Sequence, residues 1–265
     1  MKTLGKIGMA GLLFALSVCP AAFAQSAGQS EDQVAGKKKV LVIGAHPDDP
    51  ESCAGGTILK MLDAGFDVKV VYFTRGERGI PNVSLQESAR VRMSESVEAC
   101  KKLGVPYVFM NQIDGESEIN AGRYLEMQEL IKTEHPDMVL THWPIDSHRD
   151  HVNCSVLVLD TWRRIGNFFD IFYFEAMTGL QSKTFLATDL VDISEWHDKK
   201  VEALYCHKSQ GCEEWYPQYH LKMEEFYQKI TDEIPDAVIE NGITRVVYGM
   251  VDPDSRHHGR ADALL

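Results

Sequence analysis

Residues 38–51 read KKVLVIGAHPDDPE, an apolar run that ends in glycine and passes directly into a turn of histidine, aspartate and proline. A continuous β-branched run of this length is typical of a strand buried on both faces, as in a parallel sheet. Residues 38–44 are therefore predicted to form the first strand, and the polar residues that follow lie where that strand ends.

Apolar runs and helical patterns alternate downstream of this strand. We predict strands over 68–73, 107–110, 138–141, 171–174, 190–193 and 244–248, and helices over 55–64, 84–103, 123–133, 152–165, 196–205 and 221–230. This alternation predicts βαβ units, hence an α/β fold with a mostly parallel sheet and helices on both faces. No internal repeat or linker interrupts residues 37–265, which are predicted to form one domain.

The first 24 residues have the features of a cleaved signal peptide. An apolar stretch over 7–18 follows a basic start, and Ala22-Phe23-Ala24 provides small residues for cleavage near Ala24. The stretch is short for a membrane anchor, and Cys19 lacks the small preceding residue of a lipoprotein signal. Residues 25–36, polar and rich in Gly and Ser, are predicted to be a flexible lead-in. We expect a secreted or periplasmic protein.

Charge and composition exclude several classes of protein. The 265 residues are 44% hydrophobic and carry a net charge of −12, which argues against a nucleic-acid or anionic-membrane surface. No Gly-x-Gly-x-x-Gly follows the first strand and no P-loop lysine is present, which argues against nucleotide binding. The six cysteines include no CxxC pair, so a thiolate zinc ribbon is not expected. Cys206 and Cys212 are close enough in sequence to pair in an oxidising compartment.

Two segments rich in His and Asp follow the first and fourth predicted strands, AHPDDPE at 45–51 and HWPIDSHRDH at 142–151. Because parallel strands present their carboxyl ends at one rim of the sheet, we expect the two segments to meet. Three His or carboxylate ligands and one open position are typical of catalytic zinc, which lowers the pKa of its water to about 7. The predicted ligands of Zn2+, or of another divalent metal, are His46, Asp49 and His151.

The same segments contain candidates for proton transfer. Asp48, next to a ligand, is predicted to be the general base, and His148 to stabilise an oxyanion or protonate a leaving amine. Asp150 is predicted to accept an imidazole N–H and orient the ring. Each segment alone is more typical of a turn or a packing histidine, so the metal-site hypothesis depends on both occurring together.

These residues carry a family resemblance. AHPDDPE at 45–51 and HRDH at 148–151 resemble the two signature segments of the PIG-L/LmbE family of zinc-dependent N-acetylglucosaminyl de-N-acetylases, and residues 74–77 and 200–210 are weaker matches. The resemblance implies a Rossmann-like fold and hydrolysis of an N-acetyl or other N-acyl group on a small molecule or glycan that bears an amino sugar. It also implies the roles already given to His46, Asp48, Asp49, His148 and His151.

Other residues allow two interpretations. Arg75 is a candidate for substrate binding, or it pairs with Glu77 or Glu95; His207 approaches the site as a substrate-binding residue, or it is a core histidine. Trp143 and the Trp215-Tyr216 pair are candidates for stacking on a sugar ring or for core packing. Glu51 has no assigned role, and His257-His258 is more typical of a solvated tail than of a metal site.

Two rival functions remain open. One is a metal hydrolase of another amide or of an ester, and the other is a secreted carbohydrate-binding module with a structural metal. Structural zinc sites are normally closed by four protein ligands and need no spare carboxylate. Three ligands with Asp48 left over therefore favour an enzyme.

Overall fold

A computed structural model describes residues 36–177, 180–233 and 245–250, with the side chains of 230–233 and 245–250 left out. The elements lie within the compact unit Lys37–Leu265. The predicted signal peptide, the lead-in up to residue 35 and His257-His258 fall outside the described residues. Within the described part of the chain, no helix is long and apolar enough to cross a membrane.

In the part of the chain that the structure describes, seven parallel strands form one sheet in the order β3-β2-β1-β4-β5-β7-β6. The strands are β1 (Lys39–Gly44), β2 (Asp67–Thr74), β3 (Tyr107–Gln112), β4 (Met138–His142), β5 (Asp170–Phe174), β6 (Asp189–Asp192) and β7 (Arg245–Met250). The chain first builds outward from β1 to β3 and then restarts at β4 on the other side of β1. The sheet therefore has a switch point between β1 and β4, where α/β folds place their ligand sites.

Helices cover both faces of this sheet, which confirms the predicted fold class. They are α1 (Asp49–Asp63), α2 (Leu85–Leu103), α3 (Ala121–Glu134), α4 (Arg149–Ile165), α5 (His197–Leu204), α6 (Cys212–Trp215) and α7 (His220–Glu233), with 3-10 turns at Lys208–Gln210 and Tyr216–Gln218. Alternate residues of β1 supply two cores: Val42 packs with α1 and α2, and Ile43 with α3 and α4. Each fully buried side chain of this size contributes about 1.5–3 kcal/mol.

Helix α1 begins at Asp49 rather than at the predicted Gly55. Pro50 occupies the first turn, where its fixed φ suits a helix and its missing N–H costs nothing. Gly55 and Gly56 instead lie inside α1 and serve close packing, because a Cβ at Gly56 would lie 2.6 Å from the side chain of Ile193. Helix α4 likewise begins at Arg149, three residues before the predicted start.

Candidate metal centre and active site

The loop from β1 into α1 brings its polar residues to the sheet rim in a tight turn. Asp48 has a φ of 113°, which few non-glycine residues adopt. A Cβ at Gly44 would lie 2.6 Å from Cδ of Pro50, so only glycine lets the proline pack against the strand end. This turn places His46, Asp48 and Asp49 beside one another.

Three ligand-type atoms converge on one point below this loop. Nδ1 of His46 lies 3.2 Å from Oδ2 of Asp49 and 3.3 Å from Nε2 of His151, and the last two atoms are 3.5 Å apart. Tetrahedral zinc with ligand distances of about 2.0–2.2 Å separates its ligands by roughly 3.3–3.6 Å. The structure therefore brings together the three predicted ligands at the spacing that a zinc-sized ion requires.

The second nitrogen of His46 faces carboxylates. Its Nε2 lies 3.2 Å from Oδ2 of Asp150 and 3.4 Å from Oδ1 of Asp114. Asp150 is fixed by the N–H of Gly115 at 2.6 Å and the hydroxyl of Ser117 at 2.5 Å. Burial alone would raise the pKa of Asp150, but the hydrogen bonds from His46 and Ser117 bring it well below its usual range. Asp150 thus stays ionised and can accept the imidazole N–H.

Negative charge accumulates around His46. Burial by itself would lower the pKa of this imidazole, but hydrogen bonds to Asp114, Asp150 and Asp49 raise it well above its ordinary value. Without a metal, the ring therefore holds a proton that a cation would displace. The three carboxylates around this ring give the pocket a negative charge, which a divalent cation would compensate.

Asp48 lies beside the three ligand atoms and lines the cavity. Its Oδ2 lies 3.2 Å from a guanidinium nitrogen of Arg92, which also donates to the carbonyl of Pro47. Burial raises the pKa of Asp48 to about 6, against the lowering effect of Arg92. A carboxylate with this pKa can take up and release a proton near neutral pH.

His148 is the N-cap of α4. Its Nδ1 accepts the N–H of Asp150 at 3.3 Å, which assigns the ring proton to Nε2. Burial, followed by the neighbouring His46 and His151, lowers the pKa of His148. The ring is therefore neutral at pH 7 and has one N–H to donate, and it also lines the cavity.

His142 and Asp114 belong to the site although the sequence analysis assigned them no role. Nε2 of His142 accepts the N–H of Ala45 at 2.9 Å, and the ring stacks on His151 with centroids 4.0 Å apart. Burial and His151 lower the pKa of His142 to about 4, so the ring is neutral. His142 directly follows the predicted strand over 138–141, and that position is the signal that could have identified it. Asp114 lies further along its loop, where no local pattern marks it.

A cavity of about 300 Å³ opens above the ligand atoms. Arg78, Gln181, Gln210 and Trp215 form its walls, so Trp215 is available for contact with a ligand. Trp143 instead packs edge-on against Tyr173 and Phe185, and Tyr216 is buried. A polar wall with one aromatic side chain suits a hydroxyl-rich ligand.

Two predicted substrate-binding residues lie elsewhere. Arg75 donates to Glu77 at 2.8 Å, which is the ion pair given above as the alternative to substrate binding. The side chain borders a different cavity. His207 is completely buried, with Nε2 3.5 Å from Oε2 of Glu51. Neither side chain lines the cavity above the ligand atoms, so the structure favours the second interpretation given for each, an ion pair for Arg75 and a core position for His207. Cys206 and Cys212 are free thiols.

Comparison with known proteins identifies the family of this chain. The family model described as PIG-L, GlcNAc-PI de-N-acetylase, matches residues 41–162. A diacetylchitobiose deacetylase of Thermococcus kodakarensis is 31% identical over 213 residues, which cover 73% of this chain and 79% of that protein. The chain belongs to the PIG-L family. The resemblance seen in the two signature segments is thereby confirmed.

Solved structures show the same PIG-L fold. The N,N'-diacetylchitobiose deacetylase of Pyrococcus horikoshii, complexed with its inhibitor MPG, superposes with a TM-score of 0.62 at 27% identity, covering 74% of this chain and 80% of that one. GalB, the 4-carboxy-2-hydroxymuconate hydratase of Pseudomonas putida, also reaches 0.62, at 22% identity, over 77% of this chain and 92% of GalB. Since one fold serves both activities, the function of this PIG-L protein has to be argued from its site.

Proposed function

We propose that the chain is a zinc-dependent hydrolase that removes an N-acetyl or related N-acyl group from an amino-sugar substrate. The observation that carries the proposal is the triangle of His46, Asp49 and His151 atoms, 3.2–3.5 Å on each side, on the floor of a polar cavity. Zinc suits two nitrogens and one oxygen at this spacing, and another divalent ion would suit the same ligands less selectively.

Two side chains next to the triangle supply the proton chemistry of the proposal. A divalent cation, when bound, polarises the amide carbonyl and makes water more acidic. Asp48 accepts the proton of the attacking water, and Arg92 keeps this carboxylate ionised at neutral pH. The Nε2–H of His148 donates to the carbonyl oxygen as negative charge develops there. Collapse releases acetate and an amine, and the amine takes up the proton that Asp48 accepted.

The carbohydrate-binding alternative is less compatible with this arrangement. A structural ion is normally enclosed by protein ligands, whereas the triangle of ligand atoms here adjoins a cavity that Asp48 and His148 also line. The alternative of another amide or an ester substrate uses the same atoms and differs only in the bond cleaved. The amino-sugar assignment is supported by the polar cavity with Trp215 and by relatives named as diacetylchitobiose deacetylases.

A metal analysis combined with an amine-release assay tests the proposal. We expect one zinc per chain and amine release from N,N'-diacetylchitobiose or N-acetylglucosamine, with no turnover of a simple acetyl ester or acetamide. His151→Ala should lose the metal and the activity together. Full activity after removal of all divalent metal, or turnover of the ester alone, would contradict the proposal.

We also propose that the chain acts outside the cytoplasm after cleavage near Ala24. The proposal is based on the apolar stretch and the small residues of the first 24 positions. Sequencing the amino terminus of protein expressed with residues 1–36 in place provides the test.

A further inference from the structure

Asp146 is a fully buried carboxylate for which the proposed chemistry has no role. Its Oδ1 accepts the N–H of His148 at 2.7 Å, and its Oδ2 accepts the hydroxyl of Ser182 at 2.8 Å. The same Oδ2 lies 3.3 Å from Nδ1 of His151. One carboxylate thus contacts the metal-ligand histidine, the cap of α4 and a residue from the loop that follows β5.

Ser182 belongs to a short antiparallel ribbon that joins two loops of the site. Asp146 and Ser182 form a bridge, flanked by the hydrogen bonds from Lys183 N to Ile145 O at 2.8 Å and from Ser147 N to Gln181 O at 2.9 Å. The hydroxyl of Ser182 also accepts the N–H of Ala176 at 3.0 Å. The hydroxyl therefore donates its single proton to Asp146. The Ser182 side chain is buried.

The position of the proton on the His151 ring makes this contact relevant to metal binding. Nε2 belongs to the ligand triangle and must be unprotonated to bind an ion, so the ring proton resides on Nδ1, next to Asp146. An acceptor on the second nitrogen fixes the orientation of a ligating ring and makes it more basic. Ser182 holds the carboxylate with its Oδ2 3.3 Å from that nitrogen, within reach of the N–H.

We propose that Asp146, held by Ser182, is a positioning residue that orients His151 and thereby sets the affinity of the chain for its metal. This inference rests on the proposed function, because it assumes that His151 binds the ion. The ribbon also carries Gln181, which lines the cavity. Asp146 therefore connects the ribbon that carries this wall residue with the metal ligand His151.

Zinc affinity measured by competition with a chromogenic chelator tests the inference without any substrate. Asp146→Asn should weaken zinc binding about 10- to 100-fold, the range for loss of an outer-shell partner. Ser182→Ala should weaken it by a smaller factor, about threefold or more, and should add nothing in the Asp146→Asn background because its effect acts through that carboxylate. Ser147→Ala is the matched control, since its exposed hydroxyl donates to Leu180 O in the same ribbon.

A spectroscopic readout keeps the test decisive if Asp146→Asn does not fold. In zinc-loaded protein labelled with 15N-histidine, the Nδ1–H signal of His151 should shift in Ser182→Ala and remain in place in Ser147→Ala. An unchanged zinc affinity and an unmoved His151 signal in Ser182→Ala would overturn the inference. Wild-type protein that binds no zinc would instead refute the proposed function itself, so the two failures are distinguishable.

Discussion

The substitution Gly44→Ala tests how closely the end of β1 is packed against the proposed metal ligand Asp49. The new Cβ would lie 2.6 Å from Cδ of Pro50 and 3.0 Å from Cβ of Asp49. To reach an ordinary contact of 3.4 Å, the first separation must grow by about 0.8 Å. Neither neighbour is the end of a flexible side chain, so the start of α1 has to move away from the strand.

This movement is large compared with what a metal site tolerates. Ligand distances in zinc sites hold within about 0.2 Å, and Asp49 is adjacent to the displaced proline. We therefore expect Gly44→Ala to weaken zinc binding at least about tenfold. Overpacking costs about 1–3 kcal/mol, which lowers the melting temperature by roughly 2–4 °C per kcal/mol in a domain of this size.

Thermal melting with and without zinc, together with chelator competition, measures both effects. Gly122→Ala is the matched control, because that Cβ would meet only Asn120 Oδ1 at 3.4 Å and alanine favours the helix. Its zinc affinity should match wild type, with an equal or higher melting temperature. A Gly44→Ala variant with wild-type zinc affinity and melting temperature would refute the steric argument for this loop.

Three further predictions concern the proposed general base, a buried histidine and the amino terminus. Asp48→Asn should retain zinc within about twofold while turnover falls about 10²- to 10⁴-fold; wild-type turnover in this variant would exclude Asp48 as the base. Burial lowers the pKa of His220 to about 3 while its Nε2 accepts the N–H of Met177. Because the unfolded imidazole titrates near 6.5, this histidine's contribution to stability is complete above about pH 6.5 and falls by up to about 1.4 kcal/mol per unit below it. Urea unfolding from pH 7.5 to 5 should show a shallower pH slope for His220→Gln, and equal slopes would contradict this. Exported protein should begin at Gln25, and intact Met1 would argue against the signal peptide.

The sequence predicted the sheet and the convergence of His46, Asp49 and His151 because both depend on short-range patterns. The run from Lys39 to Gly44 has the apolar continuity of a buried strand, and His46 and Asp49 follow it within one turn. The predicted start of α1 at Gly55 is wrong by six residues, because residues 49–54 were assigned to the turn that contains Pro50. Proline is favoured in the first turn of a helix, and glycine inside a helix allows a neighbouring side chain to pack closely against the backbone.

The partners of the ligands were not predictable in the same way. Asp114 and Ser182 lie in loops after β3 and β5, and nothing local distinguishes them from other polar loop residues. Their positions depend on the strand order, which places β3 and β5 on opposite sides of the β1-β4 pair. The choice between the two interpretations of His207 also depended on long-range packing, since its ion-pair partner Glu51 lies in α1.

The β1-β4 pair explains why metal affinity and stability should be coupled in this chain. Ile43 and Thr141 are in register at the ends of the two strands, and the N–H of Ala45 donates to His142 across the gap. His46 and Asp49 follow the end of one strand, whereas His151 lies in the first turn of helix α4, beyond the end of the other. An ion bound by all three would link the two halves of the sheet at its switch point. Binding at a thousand times the dissociation constant adds about 4 kcal/mol to the free energy of unfolding. Zinc should therefore raise the melting temperature of the wild type more than that of His151→Ala.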